Sequence, residues 1–373
     1  MTKDQDITTG IDCRDQGIQL WDQMRRNFVA KPFLFGLSLI YGSCVSLRQK
    51  GYALGVMPIK HLPCPVFSVG NLTVGGTGKT PVVRMIAEDL MSMGRHPAIL
   101  TRGYKRQDRR GLTVVSDLEK ILTVPEEVGD EPYMMAQWLP GTPVIVGKNR
   151  YQSGIFALNH FGTDCFILDD GFQHMGLFRD LDILVINASD PFDHGKLLPY
   201  GHLRESLSAI NRASLILLNK SDSDQDLNPI MDIIRQYNKE APVFETTYTP
   251  EYLVPAADQR SHIPLSSLKD RPILVFSGIA DPSSLLNELT KTGAKIAQSI
   301  VFSDHHWFSE RDVQLIQKMA ERFRAEYIVT TEKDGVRLPT DNQKAIYLLK
   351  MKMALKKSAD IFKDILWDKI PSL

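Results

Sequence analysis

The residues best suited to chemistry in this 373-residue chain form the run GNLTVGGTGKTP, from Gly70 to Pro81. A triphosphate needs many hydrogen-bond donors at close range, and glycines let backbone N–H groups approach it without side-chain clashes. Lys79 can reach the β- and γ-phosphates, and the Thr80 hydroxyl suits Mg²⁺. The usual first glycine of G-x-x-x-x-G-K-[ST] is replaced by Thr73. We interpret the run as a phosphate-binding loop rather than a chance glycine-rich turn.

A pair of acids provides the second part of a nucleotide site. The run CFILDDGFQH, from Cys165 to His174, reads as a buried strand that ends at Asp169 and Asp170. One of the two should hold Mg²⁺, directly or through water, as a Walker-B carboxylate does. The sequence does not say which, and paired aspartates at a strand end can also cap the next turn.

Transfer to a hydroxyl group also requires a base and an acceptor site. Carboxylates and histidines in glycine- or proline-marked loops are the candidates, although acids in loops are usually solvated and a single histidine is usually structural. Three segments qualify: EEVGDEP (Glu126 to Pro132), LPYGHLRES (Leu198 to Ser206) and VFSDHHWF (Val301 to Phe308).

Two other nucleotide-binding classes are alternatives. Asn219, Lys220, Ser221 and Asp222 spell N-K-x-D, which resembles the guanine-reading motif of GTPases. A GTPase also needs D-x-x-G at such an acidic strand end, whereas here the glycine follows Asp170 immediately. ATPases of the partition and arsenite-pump class carry a lysine where this chain has Val74. A membrane-associated P-loop GTPase or ATPase therefore stays the alternative to a kinase.

The elements that must position these residues alternate between short apolar runs and helical patterns, which predicts βαβ units and a largely parallel sheet. The loop should begin a helix whose inner face carries Val82, Ile86 and Leu90 and which Gly94 stops. A proline-containing stretch from Tyr248 to Pro264 predicts a boundary between lobes. The expected strands are 66–69, 97–101, 144–147, 166–168, 183–186, 215–218, 273–276 and 327–330.

The run from Pro32 to Leu47 is almost uncharged and has basic flanks at Arg25, Arg26, Lys31, Arg48 and Lys50. A helix over this run would rise only about 24 Å, short of a hydrocarbon core of roughly 30 Å. We expect it to lie on or dip into a membrane surface rather than span it. A buried core helix is the alternative.

Composition excludes some functions. Lys plus Arg equal Asp plus Glu at 44 each, so no global basic field favours nucleic acid as a partner. The four cysteines (Cys13, Cys44, Cys64, Cys165) show no zinc-type spacing, which indicates reduced thiols in a cytosolic protein.

Eight separated motifs together resemble the tetraacyldisaccharide 4'-kinase family, in order from about residue 30 to about residue 340. They are GNLTVGGTGKTP, TRGYKR (Thr101 to Arg106), VGDEP (Val128 to Pro132), LDDGFQH (Leu168 to His174), LRES (Leu203 to Ser206), FSGIADP (Phe276 to Pro282), FSDHH (Phe302 to His306) and TTEKD (Thr330 to Asp334). The resemblance implies transfer of the ATP γ-phosphate to the 4'-hydroxyl of lipid A disaccharide 1-phosphate, forming lipid IVA. It also implies Mg²⁺ as cofactor and a peripheral or monotopic place on the cytoplasmic face of the Gram-negative inner membrane.

The resemblance further implies roles for individual residues. Asp130 becomes the general base with His305 as its partner, and Lys79 serves the phosphates. The acids Asp169, Asp170 and Glu205, with Thr80, surround the metal and phosphates, while Arg102, Gln173, His174 and Arg204 line the substrate cleft. The ATP-binding stretch is Thr73, Val74, Gly75, Gly76, Thr77, Gly78, Lys79 and Thr80. Tyr200-Gly201-His202 stands where more arginine is expected.

These observations predict an α/β protein with a P-loop NTPase-like, mostly parallel sheet flanked by helices. The expected parts are an N-terminal membrane-associating helix region (1–50), a P-loop kinase lobe (51–245) and a smaller C-terminal α/β lobe (246–373) that closes the active-site cleft.

Overall fold

A computed structural model describes residues 11–13, 30–103, 111–219, 225–258, 260–339, 343 and 345–370. Its strands are β1 (Ile11–Cys13), β2 (Val66–Gly70), β3 (Pro97–Thr101), β4 (Leu112–Ser116), β5 (Val144–Gly147), β6 (Cys165–Asp169), β7 (Leu181–Asn187), β8 (Leu215–Asn219), β9 (Val243–Pro255), β10 (Ile263–Pro264), β11 (Pro272–Ser277), β12 (Lys295–Phe302), β13 (Tyr327–Thr331) and β14 (Ile346–Leu355). Its α-helices are α1 (Ala30–Ala53), α2 (Lys79–Ser92), α3 (Pro125–Val128), α4 (Asp130–Trp138), α5 (Arg150–Phe161), α6 (Asn228–Tyr237), α7 (Pro282–Lys291), α8 (Glu310–Arg322), α9 (Glu332–Gly335) and α10 (Ala359–Trp367).

The chain forms two compact units. The first, here called the P-loop unit, holds the described residues from 30 to 248 and from 353 to 370. The second unit holds residues 249 to 352 and the short strand β1.

The sheet of the P-loop unit has the strand order β9-β8-β7-β2-β6-β3-β5-β4. All neighbours are parallel except the edge pair β4 and β5. The central strands are buried along their whole length because helices cover both faces, and this explains their continuous apolar runs. The α/β class and the mostly parallel sheet predicted from the sequence are confirmed.

The second unit contains a parallel sheet with the order β1-β12-β11-β13-β14. Separate buried clusters lie on its two faces, one including Phe276 and Ile316 and the other Ile273 and Leu289. The expected linker from Tyr248 to Pro264 is mostly strand, because β9 continues to Pro255 and pairs antiparallel with β10.

The C-terminal residues differ from the expected division at 245. Helix α10 buries Phe362 and Leu366 in the same cluster as Val82 and Leu90 of α2. Its apolar face therefore belongs to the core of the P-loop unit, although the sequence placed residues 353–373 in the second lobe.

Helix α1 is longer than the apolar run that predicted it. From Ala30 to Ala53 it is long and apolar enough to cross a membrane by length and composition, so the expected rise of about 24 Å underestimates the length of the helix. The core-helix alternative is also wrong, because only Leu34 and Ser38 of this helix are buried. Large apolar side chains on its other faces, including Phe33, Ile40 and Leu47, are exposed.

Candidate active site

The phosphate-binding loop joins β2 to α2, as the sequence predicted. Gly78 is the N-cap of α2 and has φ +82°, a left-handed conformation that glycine adopts without strain. Helix α2 begins at Lys79, so the unpaired N–H groups of its first turn and its dipole face the loop. Val82, Ile86 and Leu90 are fully buried, and Gly94 follows the end of the helix with φ +76°. The result is a helix terminus of the kind that suits an anion, with a lysine at its first position.

Two asparagine side chains hold the loop in shape. The Nδ2 of Asn71 donates to Thr77 Oγ1 at 2.9 Å, and the Nδ2 of Asn219 donates to the Thr77 carbonyl at 3.0 Å. The first residue of the N-K-S-D sequence therefore packs against the phosphate-binding loop, while Lys220 to Asp222 lie outside the described residues.

Asp169 ends β6, which lies beside β2 in register with Val69. Its Oδ2 accepts a hydrogen bond of 2.9 Å from the Thr101 hydroxyl. Burial, together with the nearby charges of Glu131 and Asp170, raises the pKa of Asp169 to about 7. Burial therefore disfavours the ionised form of this carboxyl group, and a cation bound beside it would favour that form.

Asp170 has different surroundings from those of its neighbour. Arg204 Nη1 lies 2.8 Å from each carboxylate oxygen, and Lys79 Nζ lies 3.6 Å from Oδ1. Burial opposes ionisation of Asp170, but Lys79 and Arg204 outweigh it and lower its pKa. Asp170 is therefore an ionised link between the lysine of the phosphate-binding loop and Arg204.

The segment that carries Arg204 pairs with the start of the phosphate-binding loop. Thr73 and Leu203 form an antiparallel bridge; the Val74 N–H donates to the His202 carbonyl at 2.8 Å and the Arg204 N–H to Leu72 at 2.7 Å. Thr73, which stands where the usual loop has its first glycine, is thus held by backbone pairing with Leu203.

Glu205 is buried, and its carboxylate contacts an arginine and a glutamine. Arg212 Nη1 lies 2.7 Å from its Oε2, which also accepts a hydrogen bond from Gln49. Among the residues that the structure describes, no group of three His, Cys, Asp or Glu side chains forms a metal site. Through Gln49, the Glu205 carboxylate is connected to helix α1.

Asp130 and Glu131 begin α4 directly after Gly129, whose φ is +96°. Asp130 is buried, and its Oδ1 accepts a 2.9 Å hydrogen bond from the Glu131 N–H. Glu131 is close enough to Asp169 to raise its pKa. The VGDEP segment therefore lies at the same end of the sheet as the acidic pair.

Gln173 and His174 follow the acidic pair. Gln173 Nε2 donates to the Asn71 carbonyl at 2.8 Å, and its Oε1 accepts from Arg204 at 3.4 Å. Burial, followed by the charges of Arg150, Arg179, Arg48 and Arg102, lowers the pKa of His174 to about 4. His174 is thus a neutral imidazole among arginines, and Arg102 is exposed.

His305 lies in the second unit, where it has φ +63° and its N–H donates to the Gly278 carbonyl at 3.1 Å. Lys333 Nζ is 3.4 Å from His305 Nε2. Asp304 Oδ2 lies 3.8 Å from the same ring nitrogen, so an ammonium and a carboxylate both face Nε2.

Gly278 is held by a fully buried ion pair. Asp334 Oδ1 accepts from the Gly278 N–H at 2.9 Å and lies 2.8 Å from Arg337 Nη2. The motifs FSGIADP, FSDHH and TTEKD therefore meet in one cluster within this unit.

Sequence reasoning missed several side chains of the site. Asn71, Asn219 and Arg150 lacked a motif for this role, and Glu131 was quoted only as part of VGDEP. Arg150 is buried and donates to the Gly147 carbonyl at 3.1 Å, while its charge acts on Asp170 and His174. A buried arginine at the start of a helix has no local signal, because its partners come from distant parts of the chain.

Comparison with known proteins agrees with this arrangement. The chain matches the family Tetraacyldisaccharide-1-P 4'-kinase over residues 30–370. It is 37% identical over 357 residues to a tetraacyldisaccharide 4'-kinase of Halothermothrix orenii, covering 90% of this chain and 93% of that protein. A tetraacyldisaccharide 4'-kinase of Anaeromyxobacter sp. (strain K) is 39% identical over 302 residues, covering 80% of this chain and 79% of that protein.

A solved structure is also similar. The crystal structure of LpxK from Aquifex aeolicus in complex with ATP superposes with a TM-score of 0.75 at 32% identity. The match covers 91% of this chain and 99% of that chain.

Proposed function

The chain belongs to the tetraacyldisaccharide-1-P 4'-kinase family, and from this premise we propose that it transfers the γ-phosphate of ATP to the 4'-hydroxyl of a tetraacyldisaccharide 1-phosphate, forming lipid IVA. The observation that carries the proposal is the family match over residues 30–370, which includes the phosphate-binding loop with Lys79 at the start of α2.

Asp130 is the proposed general base. It would accept the proton of the 4'-hydroxyl as that oxygen forms a bond to the γ-phosphorus and the bond from phosphorus to the bridging oxygen of ADP breaks. Lys79 and the N–H groups of the first turn of α2 neutralise the charge on the transferring phosphoryl group. Arg204 holds Asp170, so Lys79 has a fixed anionic partner when no phosphate is present.

The donor atoms fit a Mg²⁺ ion. The Thr80 hydroxyl and the Asp169 carboxylate are hard oxygen ligands, and Asp169 is buried beside two other acids. A bound Mg²⁺ would supply positive charge that offsets the negative charge of the triphosphate. Thr80 and Asp169 are its proposed ligands, with Asp170 contacting it directly or through water.

The acceptor would approach from the membrane side. A cavity of about 670 Å³ lies between α1 and residues 195–200, with Phe35, Leu39 and Leu47 on its wall and Lys50 and Lys196 among its lining residues. Apolar walls with ammonium groups suit acyl chains attached to a phosphorylated sugar. Together with the exposed apolar face of α1, this supports a place on the cytoplasmic surface of the inner membrane.

One assay tests the transfer. Purified protein, γ-labelled ATP and tetraacyldisaccharide 1-phosphate in detergent micelles should give labelled lipid on a thin-layer plate. Label recovered only as free phosphate would contradict the kinase activity and favour an ATPase. Equal turnover with GTP would favour the GTPase alternative suggested by N-K-S-D.

A double-mutant cycle tests the proposed base and His305. If the two act as one catalytic pair, Asp130→Asn and His305→Ala should each lower the rate by about 10²- to 10⁴-fold. The double variant should then be scarcely slower than the slower single variant. Additive losses would show that His305 serves another step.

A further inference from the structure

Helix α1 carries polar side chains that contact residues of the candidate active site. Its exposed residues, by contrast, include many large apolar side chains. The Tyr41 hydroxyl donates to the Arg204 carbonyl at 2.9 Å, and Gln49 Nε2 donates to the Glu205 carboxylate. Arg48 Nη2 donates to the Gln173 carbonyl at 3.1 Å. All of these partners belong to the P-loop unit, and all are separated from α1 by more than a hundred residues.

The acceptors of these bonds are adjacent to the groups that bind Asp170. Arg204 makes the 2.8 Å contacts with both Asp170 oxygens, and Gln173 accepts from Arg204. The same stretch of chain, through the Arg204 N–H, pairs with the start of the phosphate-binding loop at Leu72. A shift of this segment would therefore move the loop and the Lys79–Asp170 ion pair together.

Tyr41 is well suited to such a role. Burial and the nearby Glu205 charge raise its pKa, so the phenol stays neutral and remains a donor. A partly buried phenol is stabilised by a partner for its hydroxyl, and here the partner is a backbone carbonyl, the one of Arg204.

We propose that α1 is part of the catalytic framework and that Tyr41 and Gln49 are positioning residues, which hold the Arg204–Glu205 segment so that Asp170 and Lys79 keep their geometry at the phosphate-binding loop. This rests on the proposed kinase function. The helix thus has two separable roles: its apolar side faces lipid and its polar side fixes the active site. Removing it should lower turnover even where no membrane is present.

Tyr41→Phe tests the proposal because it removes one hydroxyl and keeps the ring. One lost hydrogen bond corresponds to about a three- to tenfold fall in kcat, measured with micellar acceptor. Gln49→Met should give a similar loss through Glu205. Recovery on vesicles and the melting temperature of Tyr41→Phe should stay close to the wild-type values. Cys44→Ala, an exposed position on the same helix, is the control and should retain full activity.

A readout that a merely structural role would not change is the coupling to Arg204. In an Arg204→Ala background Tyr41→Phe should have little further effect, since the guanidinium that it positions is gone. An unchanged kcat in Tyr41→Phe, or a full additional loss in the Arg204→Ala background, would overturn the proposal.

Failure of the proposed function is distinguishable from failure of this inference. Transfer of label to lipid by the wild type tests the function, and only the ratio of variant to wild type tests positioning. If the wild type releases free phosphate instead, the same cycle is measured on ATP hydrolysis with the same expectation.

Discussion

At the scale of single residues, the structure separates two aspartates that the sequence could only name as a pair. Asp170 is ionised by contact with Arg204 and Lys79, whereas Asp169 is buried against Thr101 and near Glu131. The difference arises from side chains on distant segments. A local motif therefore predicts that an acid is present but not which charges surround it.

Lys79→Ala should lower kcat by about 10³-fold, because a positive charge placed on the transferring phosphoryl group contributes several kcal/mol to the transition state. The melting temperature should change little, since Arg204 still pairs with Asp170. The lipid-phosphorylation assay measures this, with Lys363→Ala on the surface as the matched control. Near-normal turnover in Lys79→Ala would mean that ATP binds elsewhere.

His174 should make stability depend on pH. The pKa of His174 in the folded protein is about 4, below the ordinary 6.5. Above pH 6.5 the imidazole is neutral in both the folded and the unfolded protein, so it does not lower the free energy of unfolding there. As the pH falls from 6.5 towards 4, the unfolded chain takes up a proton that the folded protein does not. The free energy of unfolding of the wild type should therefore fall by about 2 kcal/mol relative to that of His174→Gln between pH 6.5 and pH 4.

Urea unfolding at pH 7.5 and pH 4.5 measures the difference. The exposed His96→Gln variant controls for loss of an imidazole. If the difference in free energy of unfolding between wild type and His174→Gln is the same at both pH values, His174 takes up its proton in the folded protein at pH 4.5 as it does in the unfolded chain.

At the scale of elements, the predictable strands are those buried on both faces. Strands β2, β3, β5 and β6 read as continuous apolar runs because helices cover both sides of them. Strands β4, β12 and β14 were missed, since their residues alternate between buried and partly exposed and carry lysine, serine and threonine. Neither their pairing nor the length of α1 could be derived from hydrophobicity alone.

The phosphate-binding loop depends on one glycine for a steric reason. A Cβ at Gly78 would lie 2.0 Å from Asn219 Nδ2, the group that donates to the Thr77 carbonyl. Gly78→Ala should therefore displace Asn219 and also strain the backbone at φ +82°. We expect the free energy of unfolding to fall by about 2–4 kcal/mol and ATP binding to weaken.

Gly94→Ala is the matched control, because Gly94 has φ +76° with no atom near its added Cβ. It should cost only about 1 kcal/mol through backbone strain and leave ATP binding intact. Denaturant unfolding and ATP titration distinguish the two variants. Equal losses at both positions would show that Asn219 moves without cost.

At the scale of the whole molecule, the sequence predicted two lobes but not where the chain end belongs. Helix α10 returns to the P-loop unit because Phe362 and Leu366 complete the cluster beneath α2. An amphipathic helix shows which of its faces is apolar, but not which distant surface covers that face. Long-range choices of this kind depend on complementary packing, which no single segment records.

With 44 basic and 44 acidic residues the chain has no global field that would attract a membrane, so the proposed membrane contact depends on α1 and its neighbours. Ile40 is 63% exposed on α1, and Ile361 is 56% exposed on α10. If the apolar side of α1 enters lipid, Ile40→Ser forfeits about 2 kcal/mol of burial, so its vesicle partition coefficient should fall at least about tenfold. Ile361→Ser should pellet with phosphatidylethanolamine–phosphatidylglycerol vesicles as the wild type does. Equal recovery of both variants would place the membrane contact elsewhere, whereas release of the wild type by high salt alone would make the basic flanks, not the apolar face, the dominant attraction.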